Sequence, residues 1–252
     1  MFKWTCHYYY FRCQHKQAYP PHGTGRVGML VVIDEAVRRK FEICVGVAEI
    51  RGVKQDDASR ERISRVMRRM EEELRKAYDL ERVKNVARIR AQRDFFWRMG
   101  VDPTKSRPAA EALLRRVLAG KSLPRILPVV DAYNLASVRL LMTFSAFDAR
   151  KVKGGLRVRF AEDGEEVVLI GGRKKKLTGK EIVLTDEEKI LCVYAHGDVE
   201  ATKVTDATTD VLLVAYGVPG MAAGEVMKDL RAAASTILEF CGGTLASIEV
   251  FC

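Results

Sequence analysis

The sequence has few side-chain amides and no long apolar run. Among its 252 residues there are two asparagines and four glutamines, whereas arginine and glutamate are abundant. A low content of thermolabile amides together with many ion-pairing residues is typical of proteins from thermophiles. No stretch approaches the roughly 18 consecutive apolar residues that a membrane span needs. We therefore expect a soluble protein of a thermophile.

Several common catalytic signatures are also missing. The sequence contains no GxxxxGK[ST] loop for phosphate, no GxSxG elbow and no HExxH zinc helix. Beyond residue 28, His196 is the only histidine, so a serine- or cysteine-based catalytic site there would depend on it. A single histidine is more often a hydrogen-bonded structural residue than a catalytic one. We expect neither a metal nor a cofactor.

The cysteines do not form a recognisable framework. None of the six belongs to a CxxC pair, and Cys44, Cys192 and Cys241 lie within apolar patterns. A buried thiol in such a pattern behaves as a small hydrophobic group. With no convincing secretion signal, we expect reduced thiols and a cytoplasmic location.

The first 28 residues differ from the rest, because they contain no Asp or Glu and hold three of the four histidines. The possible zinc ligands there are Cys6, His7, Cys13, His15 and His22, but their spacing matches no standard zinc finger. An acid-free start also suits an organelle transit peptide, although serine and an amphipathic period are missing. We favour a third interpretation, a disordered extension before a single domain of residues 29–252.

Apolar periodicity predicts mainly helices early in the chain and strands late. Helices are predicted at about 34–40, 57–78, 80–99, 108–119, 133–141 and 221–241. Strands are predicted at 30–33, 41–50, 156–160, 167–170, 181–184, 189–195, 210–218 and 246–251. This order predicts an α+β protein, with a helical N-terminal half packed on a mainly antiparallel multi-stranded sheet or sandwich.

The formal net charge of +10 favours a polyanionic partner such as RNA, DNA or an anionic membrane surface, although solvated basic faces are a plainer explanation. In one stretch, only Glu111 opposes six cations: Lys105, Arg107, Arg115, Arg116, Lys121 and Arg125. A second cluster, Arg173 to Lys176 with Lys180, is predicted at a hairpin tip. There it would reach an RNA backbone or keep a β edge soluble.

Four segments carry a family resemblance. They are Gly100–Arg116 (GVDPTKSRPAAEALLRR), Pro128–Asn134 (PVVDAYN), Ala146–Asp148 (AFD) and Thr205–Leu213 (TDATTDVLL). In order and spacing they resemble the tRNA-binding and editing module of the phenylalanyl-tRNA synthetase β chain and its stand-alone relatives. The resemblance covers about residues 29–220.

The resemblance implies an α+β module that, in the synthetase, hydrolyses tRNA wrongly charged with tyrosine. It implies tRNA, rather than DNA, as the partner, and a protein too short to charge tRNA by itself. The implied catalytic residues are Asn134, Ser145 and His196, and the implied pocket residues are Asp131, Tyr133, Asp148, Tyr194, Thr202 and Val214. The implied RNA contacts are Lys105, Arg107, Arg115, Arg116, Lys121, Arg125, Lys174 and Lys175.

The chain departs from the family pattern at three places. Ser145 stands where the bacterial module has a histidine, and Tyr194-Ala195 matches a glycine pair. Val214 matches the glutamate that reads tyrosine, and valine cannot accept a hydrogen bond from a phenol. Three hypotheses follow: a trans-acting aminoacyl-tRNA deacylase, a non-catalytic RNA-binding module, and a binder or hydrolase of a free amino acid or small metabolite.

Overall fold

The computed structural model describes residues 29–252. The predicted helices and strands occur in the predicted order, and three further strands at 144–148, 173–178 and 197–198 were not predicted. The first half comprises β1 (Val31–Ile33), α1 (Glu35–Lys40), β2 (Cys44–Arg51), α2 (Asp57–Ala77), α3 (Ala87–Arg98), α4 (Ala109–Leu118) and α5 (Pro128–Leu140). Seven strands follow: β3 (Phe144–Asp148), β4 (Leu156–Phe160), β5 (Asp163–Leu169), β6 (Arg173–Thr178), β7 (Ile182–Thr185), β8 (Ile190–Val193) and β9 (Gly197–Asp198). The chain ends with β10 (Asp210–Gly217), α6 (Ala223–Cys241) and β11 (Thr244–Phe251). The predicted α+β class is confirmed.

The strands form two sheets and a separate hairpin. One sheet has the order β11-β2-β10-β3 and is antiparallel throughout. The other has the order β1-β4-β7-β8-β9, in which only the β1–β4 pair is parallel. Strands β5 and β6 form the hairpin, and Leu169 of β5 also makes an isolated antiparallel bridge to Val199.

The four-stranded sheet lies between the helices and the five-stranded sheet. Along β2 and β10, Ala48 and Leu213 belong to the core shared with α2, α4, α5 and α6. Their neighbours Val47 and Val214 belong to the core shared with the five-stranded sheet. Because successive side chains of a strand point to opposite faces, both faces must be apolar, and the two strands therefore read as continuous apolar runs.

The helices begin where local capping chemistry allows. Asp56 accepts a hydrogen bond from the Ser59 nitrogen at 2.8 Å and caps α2. The single helix predicted at 80–99 is wrong in its first turn, since a 3₁₀ turn precedes a helix that begins only at Ala87. The Asp79 carboxylate accepts from the Glu81 nitrogen at 2.8 Å, and such a side-chain turn competes with helix formation.

The cationic cluster at 173–176 lies on a hairpin, but its predicted place at the tip is wrong. The tip is a three-residue loop of Ile170, Gly171 and Gly172, in which the two glycines adopt left-handed φ values of 90° and 81°. The cations therefore lie along β6, where Lys175 pairs with Val167 and Lys174 pairs with Val168. Because successive side chains of a strand point to opposite faces, the two lysines lie on opposite faces of the hairpin.

The expectation of reduced thiols is wrong for Cys44 and Cys252, whose sulfur atoms are bonded at 2.05 Å. The sheet explains the pairing: β11 runs antiparallel to β2 with Phe251 opposite Val45, so the next residues along the ladder meet. Cys192 and Cys241 are buried free thiols, as expected.

Other expectations concern the chain end and the membrane. The zinc, transit-peptide and disordered-extension interpretations of residues 1–28 lie outside the described residues. Within residues 29–252, no helix is long and apolar enough to cross a bilayer. The same residues contain no group of three or more His, Cys, Asp or Glu side chains that could hold a metal ion.

A buried carboxylate joins α3 to α4. Glu111 has no exposed surface, and its Oε1 lies 3.0 Å from Arg93 Nη1 and 2.7 Å from Arg115 Nε. A buried ion needs such partners, because its desolvation is otherwise uncompensated. The pair of arginines therefore fixes the position of α4 relative to α3.

We expect Glu111→Ala to lower the free energy of unfolding by about 3 kcal/mol, because it leaves two partly buried guanidinium groups unpaired. Urea denaturation at pH 7.5 measures this as a lower midpoint at constant slope. Glu72→Ala, on an exposed position of α2, is the control and should change stability by less than about 0.5 kcal/mol. Equal effects of the two substitutions would contradict the assignment.

Candidate functional site

A cavity of about 370 Å³ opens between the helices and one end of the two sheets. Helices α3 and α5, the loop before α4, strand β3, the β8–β9 turn and the end of β10 all contribute to its wall. The lining residues are Gln92, Phe95, Phe96, Ser106, Arg107, Ala109, Tyr133, Asn134, Thr143, Phe144, Ser145, residues 192–198, Tyr216 and Val218. Because so many elements meet there, distant parts of the sequence supply the wall.

Aromatic rings form one side of this cavity. The rings of Tyr194 and Tyr216 meet edge to face with centroids 5.0 Å apart, and Phe95 meets Tyr194 in the same way at 6.5 Å. Edge-to-face packing is a favourable arrangement of aromatic quadrupoles. The hydroxyl oxygen of Tyr194 is buried without a hydrogen-bond partner among the described residues. The aromatic wall therefore holds a polar group with unused hydrogen-bonding capacity.

Polar side chains from the two sheets meet beside the aromatic wall. Ser145 Oγ on β3 donates to Asp198 Oδ1 on β9 at 2.7 Å, and the Cys192 thiol also hydrogen-bonds Asp198. We call Ser145, Cys192 and Asp198 the polar floor. Asp198 keeps some surface open to the cavity but is otherwise enclosed. This burial raises the pKa of Asp198 to about 6, against the opposing effect of the hydrogen bonds.

Helix α5 contributes two consecutive residues, Tyr133 and Asn134, to the wall. Pro128 occupies the first turn of this helix, where its missing N–H is not needed. Asn134 is 9% exposed, so its amide faces the cavity from an otherwise buried position. Burial raises the pKa of the Tyr133 phenol, with a further contribution from the charge of Asp198.

His196 lies on the turn between β8 and β9, half-buried on the wall of the cavity. The preceding Ala195 has a left-handed φ of 63°, and Ser106 Oγ donates to its carbonyl oxygen at 2.7 Å. Burial lowers the pKa of His196, and the charges of Lys175 and Arg173 lower it further. The imidazole is therefore neutral at pH 7.

Three cationic side chains lie on the cavity wall or beside His196. Arg107 is exposed and contributes to the wall. Arg173 Nη2 donates to the His196 carbonyl oxygen at 3.3 Å, and Lys175, which pairs with Glu181 at 3.6 Å, lies close enough to His196 to affect its pKa. We call Arg107, Arg173 and Lys175 the cationic rim.

The structure gathers part of the predicted site. Tyr133, Asn134, Ser145, Tyr194 and His196 line the cavity. Four other predicted pocket residues are absent from its wall: Asp131, Asp148, Thr202 and Val214. Asp131 accepts from the Ile126 nitrogen at 2.8 Å, and Asp148 accepts from Thr208 Oγ1 at 2.9 Å. Thr202 and Val214 are fully buried, with Val214 paired to Ser145 across the strands.

Most of the predicted RNA contacts on and after α4 already have protein partners. Arg115 pairs with Glu111, and Arg125 pairs with Glu71 at 2.9 Å. Arg116 Nε donates to the Ser122 carbonyl oxygen at 2.6 Å. Lys121 is exposed, but it follows the C-terminal end of α4, whereas Ala109 at the N-terminal end lines the cavity. At about 1.5 Å per residue, the two ends of this helix are roughly 15 Å apart. Lys105 and Lys174 are exposed as well.

Sequence reasoning missed several residues of the cavity, of which Asp198 matters most. The sequence offers only a weak indication of its role, namely that a carboxylate follows His196-Gly197 shortly after the apolar strand β8. Cys192 and Tyr216 lie within segments predicted as strands, and Phe95 and Phe96 lie within a segment predicted as a helix. None of these patterns distinguishes a cavity wall from a core.

The raised pKa of Asp198 gives a pH-dependent stability. A carboxyl with a raised folded-state pKa stabilises the fold below its unfolded pKa of about 3.8, and this contribution is lost as the pH rises through about 6. We therefore expect Asp198→Asn to raise the free energy of unfolding by about 1–3 kcal/mol at pH 7.5, at about 1.4 kcal/mol per pKa unit. Asparagine retains an acceptor for Ser145.

Urea denaturation at pH 7.5 and pH 4 tests this expectation, and the gain should disappear at pH 4. Asp94→Asn, at an exposed position of α3, makes the same chemical change outside the cavity and serves as the control. A gain that is independent of pH, or no gain at pH 7.5, would count against an enclosed carboxylate.

Comparisons with known proteins agree on one family. The B3/4 domain family matches residues 91–242. The beta subunit of phenylalanine–tRNA ligase from Haemophilus ducreyi is 31% identical over 144 residues, which is 48% of this chain and 18% of that subunit. The corresponding subunit from Nocardia farcinica is 34% identical over 116 residues, 46% of this chain and 14% of that subunit. The chain thus spans under a fifth of the length of these curated relatives.

A solved structure is also similar. It is an N-terminal fragment of the phenylalanyl-tRNA synthetase beta subunit from Pyrococcus horikoshii, with a TM-score of 0.49 and 15% identity. The similarity covers 90% of this chain and 52% of that one.

Proposed function

Because this chain belongs to the B3/4 domain family, we propose that it binds tRNA and hydrolyses the ester between tRNA and an amino acid, in trans. Residues 29–252 act as one domain in this proposal. The observation that carries it is the cavity, with its polar floor, aromatic wall and cationic rim. The curated relatives are beta subunits of phenylalanine–tRNA ligases, which supports tRNA as the partner.

The dimensions of the cavity support an aminoacyl group as its occupant. A volume of about 370 Å³ falls within the range of small-molecule sites, roughly 300–1,000 Å³. The aromatic wall provides apolar contact for an amino-acid side chain, and Asn134, Ser145 and Thr143 provide polar contact. The cationic rim would meet the phosphates of the terminal nucleotides.

Hydrolysis needs a positioned water and a group that takes its proton. The water oxygen bonds to the acyl carbon, the ester bond breaks, and the ribose oxygen leaves with a proton. Neutral His196 is suited to act as the general base, and the Asn134 amide can donate to the acyl oxygen as negative charge develops on it. Ser145 orients the water while its own proton is held by Asp198.

We expect tRNA binding to depend on salt and on the cationic rim. Arg107→Ala with Arg173→Ala removes two cations near the opening, so affinity should fall and the salt slope should decrease by about one to two. The matched control is Arg116→Ala with Lys121→Ala, which removes the same charge at the far end of α4 and should change affinity less. Filter binding at several salt concentrations measures both variants.

Equal loss in both variants would reject the rim as the RNA contact. The internal ion pairs of Arg115 and Arg125 favour a second candidate function, the binding or hydrolysis of a free amino acid or small metabolite, since they reduce the surface left for RNA. No tRNA binding, together with a higher melting temperature in a free amino acid, would establish that candidate instead.

We expect release of an amino acid from at least one member of a panel of mischarged tRNAs. Asn134→Ala and Ser145→Ala should each lower kcat about 10²- to 10³-fold, the usual effect of losing one aligned polar group. Ser235→Ala, at an exposed position of α6, is the control and should retain full activity. If no member is hydrolysed and tRNA binding is intact, the protein is a non-catalytic RNA-binding module.

Cytoplasmic location and thermophilic origin belong to the same proposal. Disulfides are rare in the cytosol of mesophiles but common in intracellular proteins of hyperthermophiles. A cytoplasmic protein with the Cys44–Cys252 bond therefore fits a thermophile, which the scarcity of asparagine and glutamine also indicates.

A further inference from the structure

The cavity separates its charges. Among its lining residues, Asp198 is the one carboxylate and Arg107 the one arginine, and His196 is neutral. Asp198 is enclosed as part of the polar floor, whereas Arg107 is exposed. The cavity is therefore negative inside and positive toward solvent, the reverse of a site that draws an anion inward.

We propose that Asp198 binds the protonated α-amino group of the aminoacyl substrate, so that the cavity accepts free aminoacyl esters and rejects those with a blocked amino group. This inference rests on the proposed function and names its substrate class. An aminoacyl-tRNA end has the matching polarity, with its ammonium group next to the acyl carbon and its phosphates on the RNA side.

The chemistry around Asp198 suits an ammonium ligand. An ionised carboxylate offers about four acceptor positions, and Ser145 and Cys192 occupy two of them. The remaining positions can accept from an ammonium group inside the cavity. The rings of Tyr194 and Tyr216 also line the cavity, and aromatic rings attract cations through their electron-rich faces. Asp198 forms no ion pair with any described residue, so a bound cation would compensate its enclosed charge.

Discrimination against a blocked amine follows from the same contact. An N-acetyl group removes the positive charge and adds volume, so the carboxylate would face a neutral amide. Losing one hydrogen bond to a charged group weakens binding about 10- to 100-fold. The loss should appear mainly in KM, because Asp198 positions the substrate.

The pH range of binding is also defined. The carboxylate must be ionised, above about pH 6, and the α-amino group must be protonated, below about pH 8. The titratable groups that face Asp198 are Cys192, Tyr216 and Tyr133, whose pKa values are all raised by burial, and His196 lies two residues away with a lowered one. These shifts move the pKa of each group away from the interval between pH 7 and pH 8, so a rise in KM above pH 8 reports the substrate amine.

The experiment compares an aminoacyl-tRNA that the protein hydrolyses with the same tRNA after N-acetylation of the amino acid. We expect kcat/KM to be about 10- to 100-fold lower for the acetylated substrate, through KM. In Asp198→Asn, the kcat/KM values for the free and the acetylated substrate should differ by less than about threefold, because the variant no longer binds the free ammonium group. Ser145→Ala lowers both rates but should keep their ratio, because the carboxylate remains.

Each outcome has a separate meaning. Equal hydrolysis of both substrates by the unmodified protein, or an unchanged ratio in Asp198→Asn, overturns the inference and leaves the proposed function intact. If Asp198→Asn and Ser145→Ala instead lower both rates alike, Asp198 acts through Ser145 and the inference also fails.

Failure of the proposed function is recognised by hydrolysis of neither substrate. A thermal-shift series with the twenty L-amino acids and their N-acetyl derivatives then tests Asp198 directly. We expect at least one free amino acid to raise the melting temperature at pH 7, its N-acetyl form to have no effect, and Asp198→Asn to abolish the shift. A shift that persists in Asp198→Asn, or no shift from any amino acid, overturns the inference.

Discussion

The four-stranded sheet is covered on both faces, by helices on one side and by the five-stranded sheet on the other, and the rest of the structure depends on this constraint. Strands β2 and β10 must therefore be apolar along their central residues. The polar side chains of the candidate site lie at one end of the layers, where β3 and the last residues of β10 line the cavity. The place of the site follows from the packing.

The polar floor exists because two sheets meet at that end. Ser145 belongs to the four-stranded sheet and Asp198 to the five-stranded one, so the hydrogen bond between them crosses the layers. The β5–β6 hairpin packs against the same end, which brings Arg173 and Lys175 to His196. A cavity with an enclosed carboxylate and an outer set of cations results from elements far apart in sequence.

The family match and the cavity coincide. The B3/4 domain covers residues 91–242, and every residue that lines the cavity lies within that range. Outside it are β1, α1, β2, α2 and β11, together with the Cys44–Cys252 bond. Of these, β2 supplies the central pairing partner of β10, so the remainder of the described chain supports the part that carries the candidate site.

Local pattern alone determined the α+β class and the apolar face of α2, because periodicity and capping act over a few residues. The family resemblance singled out Tyr133, Asn134, Ser145, Tyr194 and His196, which the structure brings to one cavity. Only the tertiary structure decided that Arg115 and Arg125 serve internal ion pairs, that Cys44 meets Cys252, and that Asp198 is enclosed beside Ser145. These contacts join residues from different elements, and no pattern within a segment records which distant element covers it or what charge lies opposite.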